Sequence, residues 1–81
     1  MISYTLVTYG GTERQELTGA EYDQIIQGVE YERQGVRRTV SAVIFKTSED
    51  DAPELVAYKD LDTDMWRYVP QAFRGMTYEW E

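Results

Sequence analysis

The chain has no cysteine and no histidine. Without cysteine there are no disulfides, no thiolate catalysis and no Cys-based zinc site. Without histidine the common triads, His metal sites and the most frequent general base are gone. Apolar runs are short, and none approaches the roughly 20 residues of a membrane span. The N-terminus, Met-Ile-Ser-Tyr-Thr, lacks the basic start and apolar stretch of a signal peptide. The expectation is a cytoplasmic protein, because a small secreted domain often relies on disulfide staples. Bases are scarce too: 8 Lys and Arg stand against 15 Asp and Glu, for a net charge of −7. An acidic surface repels phosphate backbones, which argues against direct binding of nucleic acid.

What is present fits one domain of 81 residues, too short for two independent cores. Seven Tyr, two Trp and two Phe supply large contact areas at low rotamer cost, in a small core or at a binding surface. The charge is unevenly placed. Glu49, Asp50, Asp51, Glu54, Asp60, Asp62 and Asp64 face only one base, Lys59, within residues 49–64, while acids and bases nearly balance elsewhere.

Residues 2–9 are rich in β-branched and aromatic types and predict a strand. Gly10-Gly11 suits a two-residue hairpin turn, and Thr12–Leu17 returns as a polar edge strand whose Glu13, Arg14 and Glu16 discourage pairing with other chains. Thr18-Gly19-Ala20-Glu21 is a capping box. Tyr22, Ile25, Ile26 and Val29 then recur at helical spacing, with Ile26 at the centre of the buried face. Two ends of this helix fit the sequence: Gly28 as its C′ residue, or a run through Tyr31 and Arg33 to Gly35. The longer version is favoured, since Gly28 inside a helix costs only about 1 kcal/mol. Thr39–Lys46 predicts a central strand in which Val40, Ala42 and Ile44 share a face. Leu55–Tyr58, Met65–Val69 and Met76–Glu81 predict three more, with Trp66 and Tyr68 on one face and Tyr78 and Trp80 on one face. Pro70 ends a strand, and Gln71–Arg74 fits one helical turn. The expected fold is α+β, one main helix on a mostly antiparallel sheet in the order β-β-α-β-β-β-β.

The stretch Leu17-Thr18-Gly19-Ala20-Glu21-Tyr22-Asp23-Gln24-Ile25-Ile26, with the hairpin before it and the Val/Ile strand after it, resembles the opening of many small bacteriophage and prophage accessory proteins of unknown function. The resemblance covers roughly the first half of the chain. It implies a phage-type gene product of a kind that often binds and inhibits a host protein. It carries over no functional residues.

No constellation points to catalysis, and no cofactor is expected. Asp60-Leu61-Asp62-Thr63-Asp64 begins like a calcium loop, but the required glycine and bidentate glutamate are replaced by Met65 and Gln71. A polar turn held by Asx-type bonds is the expectation there. Lys46 beside Ser48 is better read as solvated surface than as a base and nucleophile. The expected function is therefore an acidic protein-interaction module. Its partner would present a basic surface, such as that of a nucleic-acid-binding protein inhibited by DNA mimicry. The candidate contacts are Glu49, Asp50, Asp51, Glu54, Asp60, Asp62 and Asp64, with Tyr58, Trp66 and Tyr68 as aromatic anchors. The alternative is a structural or assembly subunit whose strand edges, including the Tyr78/Trp80 strand, pair with a neighbour. A further alternative is that the acidic loops only aid solubility.

Overall fold

The computed structural model describes residues 2–35, 37–50 and 52–81. In chain order these form β1 (Ser3–Thr8), β2 (Glu13–Leu17), α1 (Gly19–Ile26), β3 (Glu30–Tyr31), β4 (Arg38–Thr47), β5 (Glu54–Asp60), β6 (Trp66–Tyr68) and β7 (Tyr78–Trp80). Short 3-10 turns occupy Tyr9–Gly11 and Gln71–Phe73. One sheet runs in the order β2-β1-β4-β5-β6-β3, and β7 pairs with β4. The α+β class and the mostly antiparallel pairing match the expectation. The element order does not: β3 intervenes between α1 and β4, and the β3–β6 and β4–β7 pairings are parallel.

The capping box forms as the sequence predicts. Thr18 Oγ1 accepts from the Glu21 amide at 3.1 Å, and Glu21 Oε1 accepts from the Thr18 amide at 3.0 Å. Thr18→Ala is expected to cost about 1 kcal/mol, read as a lower urea midpoint at unchanged slope. An unmoved midpoint would mean the cap contributes nothing.

The longer helix is not adopted. Gly28 takes a φ of +72°, the left-handed conformation of a C′ residue, and the Val29 amide closes back on the Ile26 carbonyl at 3.1 Å. The chain thus released crosses to the sheet edge, where Glu30 and Tyr31 pair with Arg67 and Tyr68. Ladder bonds there, with the Glu32 amide donating to the Tyr68 carbonyl and the Glu32 side chain buried beyond, outweigh further helical turns. Shortening the helix also moves the centre of its buried face. Tyr22 is buried and stacks on Tyr4 with ring centroids 3.9 Å apart, whereas Ile26 is only half-buried.

The first hairpin is also looser than expected. Its turn spans residues 9–12, and the Tyr9 carbonyl accepts both the Thr12 amide (3.2 Å) and Thr12 Oγ1 (2.7 Å). The strand after it is an edge strand, as its polarity predicts.

Strict alternation fails in the central strand. The register between β4 and β5 shifts between Val40 and Ala42 and again between Ile44 and Phe45. Such irregularities re-aim the side chains that follow. Val40 therefore joins Val43, with Val7, Leu55, Tyr58 and Val69, in a core closed by Phe45, Phe73, Met76, Tyr78 and Trp80. Ile44 belongs to the other core, with Leu17, Tyr22, Val56 and Ala57 under α1, closed by Tyr4, Leu6, Ile25, Ile26 and Trp66. Val43 and Ile44 are neighbours on β4, so the two cores lie on opposite faces of the sheet. Tyr78 and Trp80 share a face, as expected, but they pack inward and take the N-terminal end of β4 as their partner.

Candidate protein-interaction site

The β5–β6 connection builds one end of the site. Asp60 closes the last pair of β5 and holds the turn. Its Oδ1 accepts the Asp62 amide at 2.8 Å, and its carbonyl accepts the Asp64 amide at 2.8 Å. This is the Asx-type turn expected from the sequence. Asp64 adopts a φ of +56°, a conformation that aspartate tolerates better than most residues. Leu61, Asp62, Asp64 and Met65 are exposed as a result.

Beside this turn, the loop after α1 and the start of β6 enclose a cleft of about 510 Å³. Gly28, Val29, Met65 and Trp66 contribute to its mostly apolar lining, and Lys59 and Asp64 lie at its rim. A second cleft of about 280 Å³ is lined by Ile26, Val29, Tyr31 and Tyr68. Val29 lines both, so the two clefts adjoin at that residue and together make up the groove between the end of α1 and the β3–β6 edge. Met65 is 64% exposed and Tyr31 61%, large values for apolar side chains on a small domain. Tyr31 meets Tyr68 edge-on, with centroids 5.3 Å apart. Charges ring the groove in pairs: Lys59 Nζ to Asp64 Oδ1 at 3.5 Å, Arg67 Nη1 to Glu30 Oε2 at 3.2 Å, and Arg67 Nε to Asp60 Oδ2 at 3.8 Å.

The expected contact residues are not gathered in one place. Asp62, Asp64, Trp66 and Tyr68 lie along or beside the groove. Asp60 is half-buried and held by Arg67 and the Asp62 amide, so it is a brace of the turn. Glu49 and Asp50 lie in the connection before β5, and Glu54 begins that strand, where Arg74 Nη1 binds it at 3.1 Å. Asp51 lies outside the described residues. The two acidic groups therefore occupy opposite ends of β5, a seven-residue strand about 20 Å long. Tyr58 is corrected outright: it is 0% exposed, inside the core, and its ring is no surface anchor.

Tyr58 leads to a feature the sequence did not disclose. Glu32 is 2% exposed, the one buried charged residue among those described. Its Oε2 accepts from Arg38 Nε at 3.0 Å and from the Tyr58 hydroxyl; its Oε1 accepts from Arg38 Nη2 at 2.9 Å and from the amides of Arg33 and Gln34 at 3.0 and 3.1 Å. The paired guanidinium above all, opposed by burial and aided by the tyrosine, lowers its pKa to about 2. Burial and then the Glu32 hydrogen bond push the Tyr58 hydroxyl well above its ordinary range. The cluster pins the segment between β3 and β4 to the sheet. Its signal in sequence is only an acid in a polar run, with Arg38 six positions away and Tyr58 in another strand.

Among the described residues no group of three acids could hold a metal ion. No described helix is long and apolar enough to cross a membrane. No family model, no curated protein and no solved structure matches the chain.

Proposed function

We propose that this protein is a non-catalytic interaction module that engages a partner protein through the groove along β6, with the β5–β6 turn as its acidic rim. The observation that carries the reading is the exposure of Met65 and Tyr31 on either side of half-buried Trp66 and Tyr68, next to Asp62 and Asp64. Aromatic and Met side chains around a concave apolar floor, edged by charge, are the composition of interface cores and their rims. Glu32 supports a role without chemistry. A general acid needs a raised pKa and a free proton, whereas this carboxylate is saturated by donors and held ionised.

The rim favours a partner with a basic surface, of the kind nucleic-acid-binding proteins carry. The charge placement and the phage-type resemblance support an inhibitory role. Full mimicry of a DNA strand draws little support, because the acids are divided between two ends of a strand and Glu54, Asp60 and Asp64 are each paired with a base.

The test is affinity capture from a bacterial lysate at low and high salt, comparing wild type with two double variants. Met65→Ala with Tyr31→Ala removes exposed side chains and is expected to weaken capture of a specific protein roughly tenfold or more. Asp62→Asn with Asp64→Asn is expected to slow association of that protein more than it speeds dissociation, at low salt only. A captured protein that both variants bind as wild type does would place the interface elsewhere and end this reading.

A further inference from the structure

We propose that the outer edge of β2 pairs antiparallel with the same strand of a second copy, in a two-fold register centred on Gln15. The proposal is independent of the groove. β2 ends the sheet, so one side of its five residues has no strand partner among the described residues. The edge at β3 offers two residues and β7 is three residues long. β2 contains no proline, and Glu13, Arg14, Gln15 and Glu16 are all exposed. Neither Arg14 nor Glu16 is in an ion pair or side-chain hydrogen bond with any described residue.

Charge selects the register. Antiparallel pairing about Gln15 sets Arg14 opposite Glu16 twice, by symmetry, and lays the two Gln15 amides against each other. A two-fold centre between neighbouring residues, such as Arg14 and Gln15, is excluded, because directly opposed residues share a face of the sheet and neighbours on one strand do not. Centring on Arg14 or on Glu16 sets like charges face to face. Parallel pairing in register does the same at Glu13, Arg14 and Glu16. Opposite charges directly across a ladder stabilise it and like charges destabilise it. Arg14 and Glu16 lie across from Val7 and Thr5 of β1, so both project from one face, where the cross-strand pairs can form. The same charges that deter a foreign strand thus complement this one strand in one register. The contact is isologous and closes on itself, giving a dimer and not a filament.

Sedimentation equilibrium on the full chain tests this, with Arg14→Glu, Glu16→Arg and the double swap. Each single reversal turns two attractive pairs into two repulsive ones and should raise the dimer dissociation constant about tenfold or more. The double swap restores both pairs and should return wild-type self-association, which a general effect of surface charge would not do. Circular dichroism confirms that each variant is folded. A wild type that stays monomeric up to about 1 mM overturns the proposal. So does a dimer indifferent to both single reversals, or one abolished by Met65→Ala with Tyr31→Ala, which would put the contact at the groove.

Discussion

Replacing Glu32 with alanine is expected to lower stability by about 3–5 kcal/mol, the cost of removing one partner from a buried ion pair. A domain of this size has only about 5–10 kcal/mol to lose, so a large unfolded fraction is expected even in mild denaturant. The loss has three parts. The Arg38 guanidinium, itself largely shielded, keeps its charge without its counter-ion. The Tyr58 hydroxyl is left in a fully buried ring with no acceptor. The amides of Arg33 and Gln34 lose the oxygen that shapes the chain before β4. Glu32→Gln keeps the shape and one acceptor and should cost less, and Tyr58→Phe should cost about 1.5–3 kcal/mol, as for a hydrogen bond to a charged group.

The same group sets an acid limit. The Glu32 pKa is about 2 in the fold and 4.5 as an ordinary carboxyl, so the folded state holds the proton less readily than the unfolded chain. Its contribution is complete above about pH 4.5 and is lost as pH falls through about 2. Urea midpoints of wild type should therefore fall across that window, and those of Glu32→Gln should fall less steeply. Parallel slopes in the two proteins would show that other carboxylates govern acid unfolding.

How much of this was legible depends on the range of the interaction involved. The capping box is local, four residues speaking to one another, and Thr18 and Glu21 form it as the spacing dictates. The central position of β4 follows from its run of apolar side chains. Both failures of periodicity came from competition with distant partners. Gly28 ends the helix because Glu30 and Tyr31 gain a ladder with β6, a strand more than thirty positions on. Alternation along β4 breaks because Ser41 is an extra residue there, opposite the continuous pair Lys59–Asp60 of β5, and β5 carries a second irregularity at Val56; neither shows until the two strands are paired. Glu32 is the extreme case: charge in a polar stretch reads as surface, and only the folded register brings Arg38 and Tyr58 to it. For the site, charge counting found the acids but not their geometry. A strand placed between two acidic segments separates them. The apolar half of the groove arises from Val29 and Tyr31, which propensity assigns to the helix, and from Met65, which it assigns to the start of a strand.

The second large effect is expected at Gly35. Its φ is +63°, and a Cβ built there would lie 2.6 Å from Cδ1 and 3.0 Å from Cε1 of Phe73. Phe73 is no loose end that can swing away. It follows Pro70 in the turn Gln71–Phe73, bonds its amide to the Pro70 carbonyl at 2.9 Å, and packs against the core of Val40, Val43 and Tyr58. Gly35→Ala therefore combines a left-handed backbone penalty of about 1–2 kcal/mol with an overpacking cost of about 1–3 kcal/mol. Gly28→Ala supplies the control. Its φ of +72° imposes the same backbone penalty, but nothing lies within 4 Å of its Cβ position. The expected result is that Gly35→Ala loses about 2–5 kcal/mol by urea unfolding and Gly28→Ala only about 1–2. A double-mutant cycle with Phe73→Leu assigns the difference, since residues in contact couple and separated ones do not. Coupling should appear between Gly35→Ala and Phe73→Leu and vanish between Gly28→Ala and Phe73→Leu. Equal costs at the two glycines, with no coupling at Gly35, would mean that the Phe73 ring yields to the added methyl group.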